Sequence, residues 1–208
     1  MPKVKSLLAV FAILFCIAAS WFIAVQLRPS HDGFTSDGHI TTWRLLAPIA
    51  LSESGADAVG KEQIRGEANL RPQAGDKFES GLVWKEYRAR DFYIDFNEFL
   101  GRQTEHCAGY AVCYIHSERD ITYANLSIGS DDQARVYLNG KEVIRSVLVR
   151  RLGKDQNVAR VSLKRGVNVL VFKVINELGF WTGCARFIDW DDGHPMTNLK
   201  VSLTGKEN

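Results

Sequence analysis

The sequence predicts an all-β domain, a β-sandwich or jelly roll, preceded by one N-terminal membrane helix. Three observations predict it. An uncharged, largely apolar run extends from Ser6 to Leu27. Eight or more short strand patterns with turn signals between them follow in the rest of the chain. One of these, Val167–Ile175, is apolar on both faces, as a strand covered on two sides must be.

The whole chain sets the bounds. At 208 residues, 46% hydrophobic and 24% charged, it has room for one globular domain and an appendage. A net charge of +2 is too small to propose nucleic acid as a partner, because such proteins usually carry a concentrated basic surface. Arg150-Arg151 and Lys164-Arg165 read as solvated loop charges.

Lys3 and Lys5 precede the Ser6–Leu27 run. As a helix that run would extend about 33 Å, enough to cross a hydrocarbon core of about 30 Å. Residues 1–28 are therefore expected to be a signal anchor, with the N-terminus cytoplasmic. The alternative is a cleaved signal peptide, with Leu7–Ile17 as its apolar region and Ala18-Ala19-Ser20 as its small-residue site. The apolar run continues through Trp21, Phe22, Ile23 and Val25, which favours the anchor. Either way the remainder is exported: as a single-pass protein of the cytoplasmic membrane with its domain outside, or as a secreted or periplasmic protein. Cys16 follows the bulky Phe15 and reads as a membrane residue rather than a lipidation site.

Residues 29–42 contain Pro29, Ser30, Gly33, Ser36 and Gly38 without an apolar period, which describes a tether. The domain is expected over 43–208. Trp43–Ile49 is a short extended run, and Ala50–Lys77 reads as loops with one helical turn near Gly60–Ile64. Strand patterns then follow at Gly81–Arg88, Asp91–Phe99, Gly109–Ser117 and Ile121–Ile128. Arg135–Leu138 leads into Asn139-Gly140, the pair that a type I′ hairpin turn demands, and a strand returns from it. Val158–Leu163, Val167–Ile175, Phe180–Ile188 and Leu199–Leu203 complete the sheet elements, and no internal repeat is present.

Trp43–Ile49, Gly129-Ser130-Asp131-Asp132 through Val143, and Leu163 through Asn176 together resemble the galactose-binding-like jelly-roll domains. Such domains occur as carbohydrate-binding or accessory modules of exported bacterial proteins. The resemblance extends to Trp181–Phe187 and to the loop Asp189–Gly193, and it departs from the family pattern at Ala47 and Ile49. Within these 208 residues no catalytic domain is expected beside the module. A second resemblance, to protective-antigen-type lectin domains, rests on Asp131-Asp132 ahead of a strand and an Asn-Gly turn. It implies that the acidic pair helps hold calcium.

Sugar recognition needs an aromatic face for the apolar side of a pyranose and polar groups for its hydroxyls. Trp181, Arg186, Trp190, Asp191 and Asp192, with Phe180 beside them, supply both residue types, and Trp181 and Trp190 are the expected platforms. Both rings also have a core reading, which Trp43 and Trp84 share more strongly. Asp131 and Asp132 are candidate calcium ligands, although two acids fall short of the roughly six to eight oxygens calcium takes. The competing reading is a turn whose carboxylates accept backbone N–H groups.

Export makes one disulfide among Cys107, Cys113 and Cys184 chemically reasonable, with an odd thiol left over. His106, Cys107, Cys113 and His116 match no zinc spacing. Asn125-Leu126-Ser127 is a glycosylation sequon. The chain lacks a Gly-x-Ser-x-Gly elbow, a His-Glu-x-x-His motif and a phosphate loop. The expectation is therefore a membrane-tethered, non-catalytic carbohydrate-binding module. The alternative is a module that docks an exported protein. A minimal hydrolase using Asp131, Asp132, Asp191 or Asp192 stands third.

Overall fold

In chain order the strands are β1 (Thr42–Ala50), β2 (Lys85–Arg88), β3 (Ile94–Asp95), β4 (Cys107–Ser117), β5 (Ile121–Asp131) and β6 (Ala134–Leu138). They continue with β7 (Lys141–Ser146), β8 (Asn157–Leu163), β9 (Gly166–Asn176), β10 (Thr182–Asp189) and β11 (Lys200–Ser202). Two short helices, α1 (Gly55–Gly60) and α2 (Phe96–Leu100), and a 3-10 turn at Glu67–Asn69 lie between them. This computed structural model describes residues 33–53, 55–79, 81–196 and 198–205, all within the unit His31–Asn208. The expected membrane segment over 1–28 lies outside the described residues, among which no helix is long and apolar enough to cross a membrane.

The strands form two antiparallel sheets. The larger has the order β2-β1-β4-β9-β6-β7 with β11 on β4, and the smaller has the order β3-β10-β5-β8. Trp43, Leu45, Cys113, Val136 and Phe172 of the large sheet share one core with Leu126, Ile128, Val161, Ala185 and Phe187 of the small sheet. The two sheets therefore pack face to face as a sandwich. At the β6–β7 turn, Asn139 and Gly140 take φ of 53° and 83°, the two positive angles that a type I′ turn requires.

The run apolar on both faces is β9, hydrogen-bonded to β4 on one side and to β6 on the other. Its Leu170, Phe172 and Val174 face the sandwich core. Val169, Val171 and Ile175 face a second core, shared with Ala58, Val59, Ile64 and Trp84 of the covering segment 51–84. Glu67 pins that segment in place. Fully buried, it pairs with Lys173 Nζ at 3.0 Å and with Arg135 Nη1 at 3.1 Å. It also accepts the Tyr137 hydroxyl at 2.5 Å and the Tyr110 hydroxyl. Burial, and then the Glu67 charge, push the Tyr110 phenol well above its ordinary range. The buried carboxylate is thus fully hydrogen-bonded, the condition under which an interior charge is tolerated.

Three expectations are corrected. The tether does not reach Thr42: Phe34, His39 and Ile40 are buried, and Phe34 and Ile40 form a bridge, so residues 33–42 belong to the domain. Their apolar residues are too few and too scattered to show a period. Asp91–Phe99 gives only the two-residue β3 before α2. The side chain of Asp95 caps α2 by accepting the Glu98 N–H at 2.9 Å, and Gly101 ends the helix at φ 66°. Finally, α1 ends at Gly60, where the helical turn was expected to begin.

Candidate functional site

The outer face of the small sheet follows from strand period. In β5, Ala124, Leu126 and Ile128 are buried in the core, so Tyr123, Asn125 and Ser127 point away from it. Asn125 pairs with Ile188 of β10 on one side and with Arg160 of β8 on the other. Trp190 follows β10 directly. The Arg160 guanidinium carbon lies 3.5 Å from the Trp190 ring centroid and 5.5 Å from that of Tyr123. Trp190 keeps 42% and Tyr123 56% of its surface exposed. A row of two open aromatic rings with a cation between them thus crosses this face. Each exposed cation–π contact contributes about 0.5–1 kcal/mol toward holding the row in place.

The same face is covered toward the other end of the strands. There the β7–β8 connection, 147–156, folds back so closely that a Cβ on Gly129 would overlap the Gly153 carbonyl oxygen. Arg186 is anchored under this cover. It donates from Nε to Asp155 Oδ1 at 2.9 Å, from Nη2 to the second Asp155 oxygen, and from Nη1 to the Asp37 carbonyl at 3.0 Å. Asp155 also accepts the Ser127 hydroxyl at 2.5 Å, and Lys154 reaches Asp37 at 2.7 Å. The Arg186 guanidinium holds the Asp155 carboxyl below its ordinary value.

The expected site residues therefore divide. Trp190, Asp191 and Asp192 lie at the surface, where Asp191 donates its N–H to Asp189 and Asp192 accepts that of His194, each at 2.8 Å. Trp181 is corrected to the core: it is fully buried, stacks on Phe96 at 4.6 Å and donates to the Val174 carbonyl at 3.3 Å. A ring without exposed surface offers a sugar no face. Arg186 is also corrected, because its donors are already taken by Asp155 and Asp37. Phe180 is 74% exposed. Sequence reasoning missed Tyr123 and Arg160 as site residues. The signal was strand phase, since both alternate out of step with the core residues Leu126 and Val161.

Asp131 and Asp132 lie at the opposite end of β10, where Asp131 pairs with Thr182. Their peptide bond is cis. Asp132 accepts the Glu177 N–H at 2.9 Å. Burial, and then the Asp132 charge, push the Asp131 carboxyl up to about 6. Two adjacent carboxylates with unbalanced charge fit a hard cation. Among the described residues no further His, Cys, Asp or Glu joins them as a metal-binding group, so other oxygens would have to complete the shell. The span of β10, on the order of 24 Å at 3.4 Å per residue, separates this pair from Asp191 and Asp192. Glycosidase carboxylates lie within about 10 Å of each other, so the two pairs cannot act as one.

Cys107, Cys113 and Cys184 are buried free thiols, so the expected disulfide is not formed. Burial pushes Cys107 and Cys184 up to about 12.

No protein-family model and no curated protein sequence matches the chain. Among solved structures, it is similar to a β-glucosidase from Kluyveromyces marxianus, with a TM-score of 0.44 at 9% identity. That alignment covers 74% of this chain and 18% of the glucosidase, so the chain spans under a fifth of that enzyme's length. It is also similar to the PA14 domain of the MpAFP antifreeze protein, with a TM-score of 0.42 at 13% identity, covering 85% of this chain and 98% of that one. The PA14 sugar-binding domain of an RTX adhesin gives a TM-score of 0.41 at 9% identity, covering 74% and 93%. At such identities, shared shape does not transfer chemistry.

Proposed function

We propose that the chain is a non-catalytic carbohydrate-binding module of the jelly-roll type, tethered outside the cytoplasmic membrane by residues 1–28. It takes glycan on the outer face of its small sheet. One observation carries this reading: Trp190 and Tyr123 hold their rings open on that face with Arg160 between them. Aromatic rings match the apolar side of a pyranose, and the guanidinium, Asn125, Asp191 and Asp192 supply donors and acceptors for its hydroxyls. Calcium held by Asp131 and Asp132 would coordinate oxygen at the other end of β10, away from this row.

The test is a glycan array probed with the full chain in detergent micelles, followed by titration of the best sugars against wild type and Trp190→Ala. Saturable binding that Trp190→Ala lowers at least tenfold supports the reading. A folded protein that binds no sugar overturns it. Chelator is expected to leave binding at the aromatic row unchanged, whereas its loss with chelator would move the sugar to the Asp131 end.

A second reading, docking of an exported protein, is favoured by a different observation. Val147, Leu148 and Val149 after β7, and Leu178 and Phe180 after β9, are 49–74% exposed. Register brings both connections to the Asp132 end, because Ala134 pairs with Ser146 and with Val174. Capture of a partner that is lost when Leu178 and Phe180 become serine would support this reading.

A further inference from the structure

Arg160 has more donor capacity than the glycan site described above needs. Its guanidinium forms no ion pair and no hydrogen bond among the described residues, and it lies against the Trp190 and Tyr123 rings. At 3.5 Å from the indole centroid an edge-on guanidinium would drive a nitrogen into the ring, so the two planes lie close to parallel. The five N–H groups of a guanidinium lie in its plane. Stacking therefore leaves them directed out past the edge of the ring rather than spending them on its face.

A planar fork of donors with uncompensated charge matches one sugar substituent far better than it matches hydroxyls. A carboxylate accepts two parallel N–H bonds and neutralises the charge, and such charge-assisted bonds are roughly twice as strong as neutral ones. The turn beyond Trp190 has the opposite polarity. Asp189 accepts the Asp191 N–H and Asp192 accepts the His194 N–H, and none of Asp189, Asp191 and Asp192 pairs with Arg160. The row thus has a donor end at Arg160 and an acceptor end at the turn, and that polarity orients a ring bearing an acid on one side and hydroxyls on the other.

We propose that the glycan taken on this face carries a carboxylate, as a hexuronic acid residue does, and that Arg160 binds it in a two-pronged pair while the sugar lies against the ring surface that Arg160 leaves exposed. This rests on the carbohydrate-binding reading above. It makes Arg160 the residue that determines specificity and leaves Trp190 and Tyr123 as general platforms.

The test is calorimetric titration of the full chain in detergent micelles with three ligands of equal length: an oligouronide, its carboxyl-reduced neutral counterpart and a sulfated neutral oligosaccharide. Wild type is expected to bind the oligouronide at least tenfold tighter than the reduced form, with affinity falling as salt is raised. Arg160→Gln should bring the uronide-to-neutral ratio close to one. Arg160→Lys, which keeps the charge and loses the fork, should recover only a small part of it. Equal affinity of wild type for the oligouronide and its reduced form overturns the proposal, as does a sulfated ligand that binds as tightly as the uronide. If the oligouronide does not bind, the carboxylate proposal fails; the carbohydrate-binding reading fails with it only when the folded protein also binds nothing on the glycan array.

Discussion

At the scale of single residues, two tryptophans nine positions apart have opposite roles. Trp181 fills the core, so Trp181→Ala should destabilise the fold by about 3–5 kcal/mol, the range for emptying a large buried aromatic site. Trp190→Ala removes a ring that is 42% exposed and stacked on Arg160, and should cost about 1 kcal/mol. Chemical denaturation of the two variants separates the roles, and a marked loss of stability in Trp190→Ala would make that ring structural. Asp131 offers a pH test. Its carboxyl is raised to about 6 in the folded chain, against an ordinary value of 3.8. The folded state therefore holds the proton more tightly than the unfolded chain does. The resulting penalty is full above about pH 6 and fades as pH falls toward 4. Asp131→Asn should thus stabilise by about 1–2 kcal/mol at pH 7 without calcium, and the gain should be nearly gone at pH 4. Thermal melts at the two pH values measure it, and a gain that persists at pH 4 would assign it to packing.

At the scale of elements, the strands whose residues alternate cleanly were legible in the sequence, and so was the Asn139-Gly140 turn. The α2 helix was not, because Phe92, Ile94 and Phe96 fit a strand while Phe96, Phe99 and Leu100 fit a helix. The cap at Asp95 decides between them, and it acts only once Glu98 turns back. The candidate site was half legible. Residue type pointed to Trp190, Asp191 and Asp192, but it also pointed to Trp181 and Arg186, because type says nothing about which side of the sheet a residue faces. Phase says that, and it would have placed Tyr123 and Arg160 outside. The cover formed by 147–156 was not legible at all, since it depends on Gly129 and Gly153, distant in sequence, meeting backbone to backbone. Gly129→Ala should force that connection off the sheet, costing about 1–3 kcal/mol by overpacking. Faster proteolysis within 147–156 would confirm it, and unchanged cleavage would show that the connection yields without leaving.

At the scale of the whole molecule, the fold is a sandwich with one flank built over. Segment 51–84 lies on the large sheet, and Glu67 is the single charge that meets Lys173, Arg135 and two phenols there. Removing it leaves Lys173 buried without a counter-charge. Glu67→Ala should therefore cost about 3–5 kcal/mol. Glu86→Ala, which breaks the exposed Arg88–Glu86 pair, should cost under about 1 kcal/mol. Urea denaturation compares the two, and equal costs would mean that water reaches Glu67.

The three buried thiols act together as a set of clocks. A thiol reagent modifies each only when its surroundings open, and openings differ in free energy from region to region. Cys184 lies beneath the 147–156 connection, with its sulfur 4.0 Å from the Gly153 carbonyl oxygen, whereas Cys113 sits in the middle of β4 with strands on both sides. In a Cys16→Ser background, labelling of Cys184 would time the lifting of that connection, and labelling of Cys113 would time the parting of the two sheets. Each rate could then be followed as sugar is added, so a ligand that grips only the outer face would slow the first clock before the second.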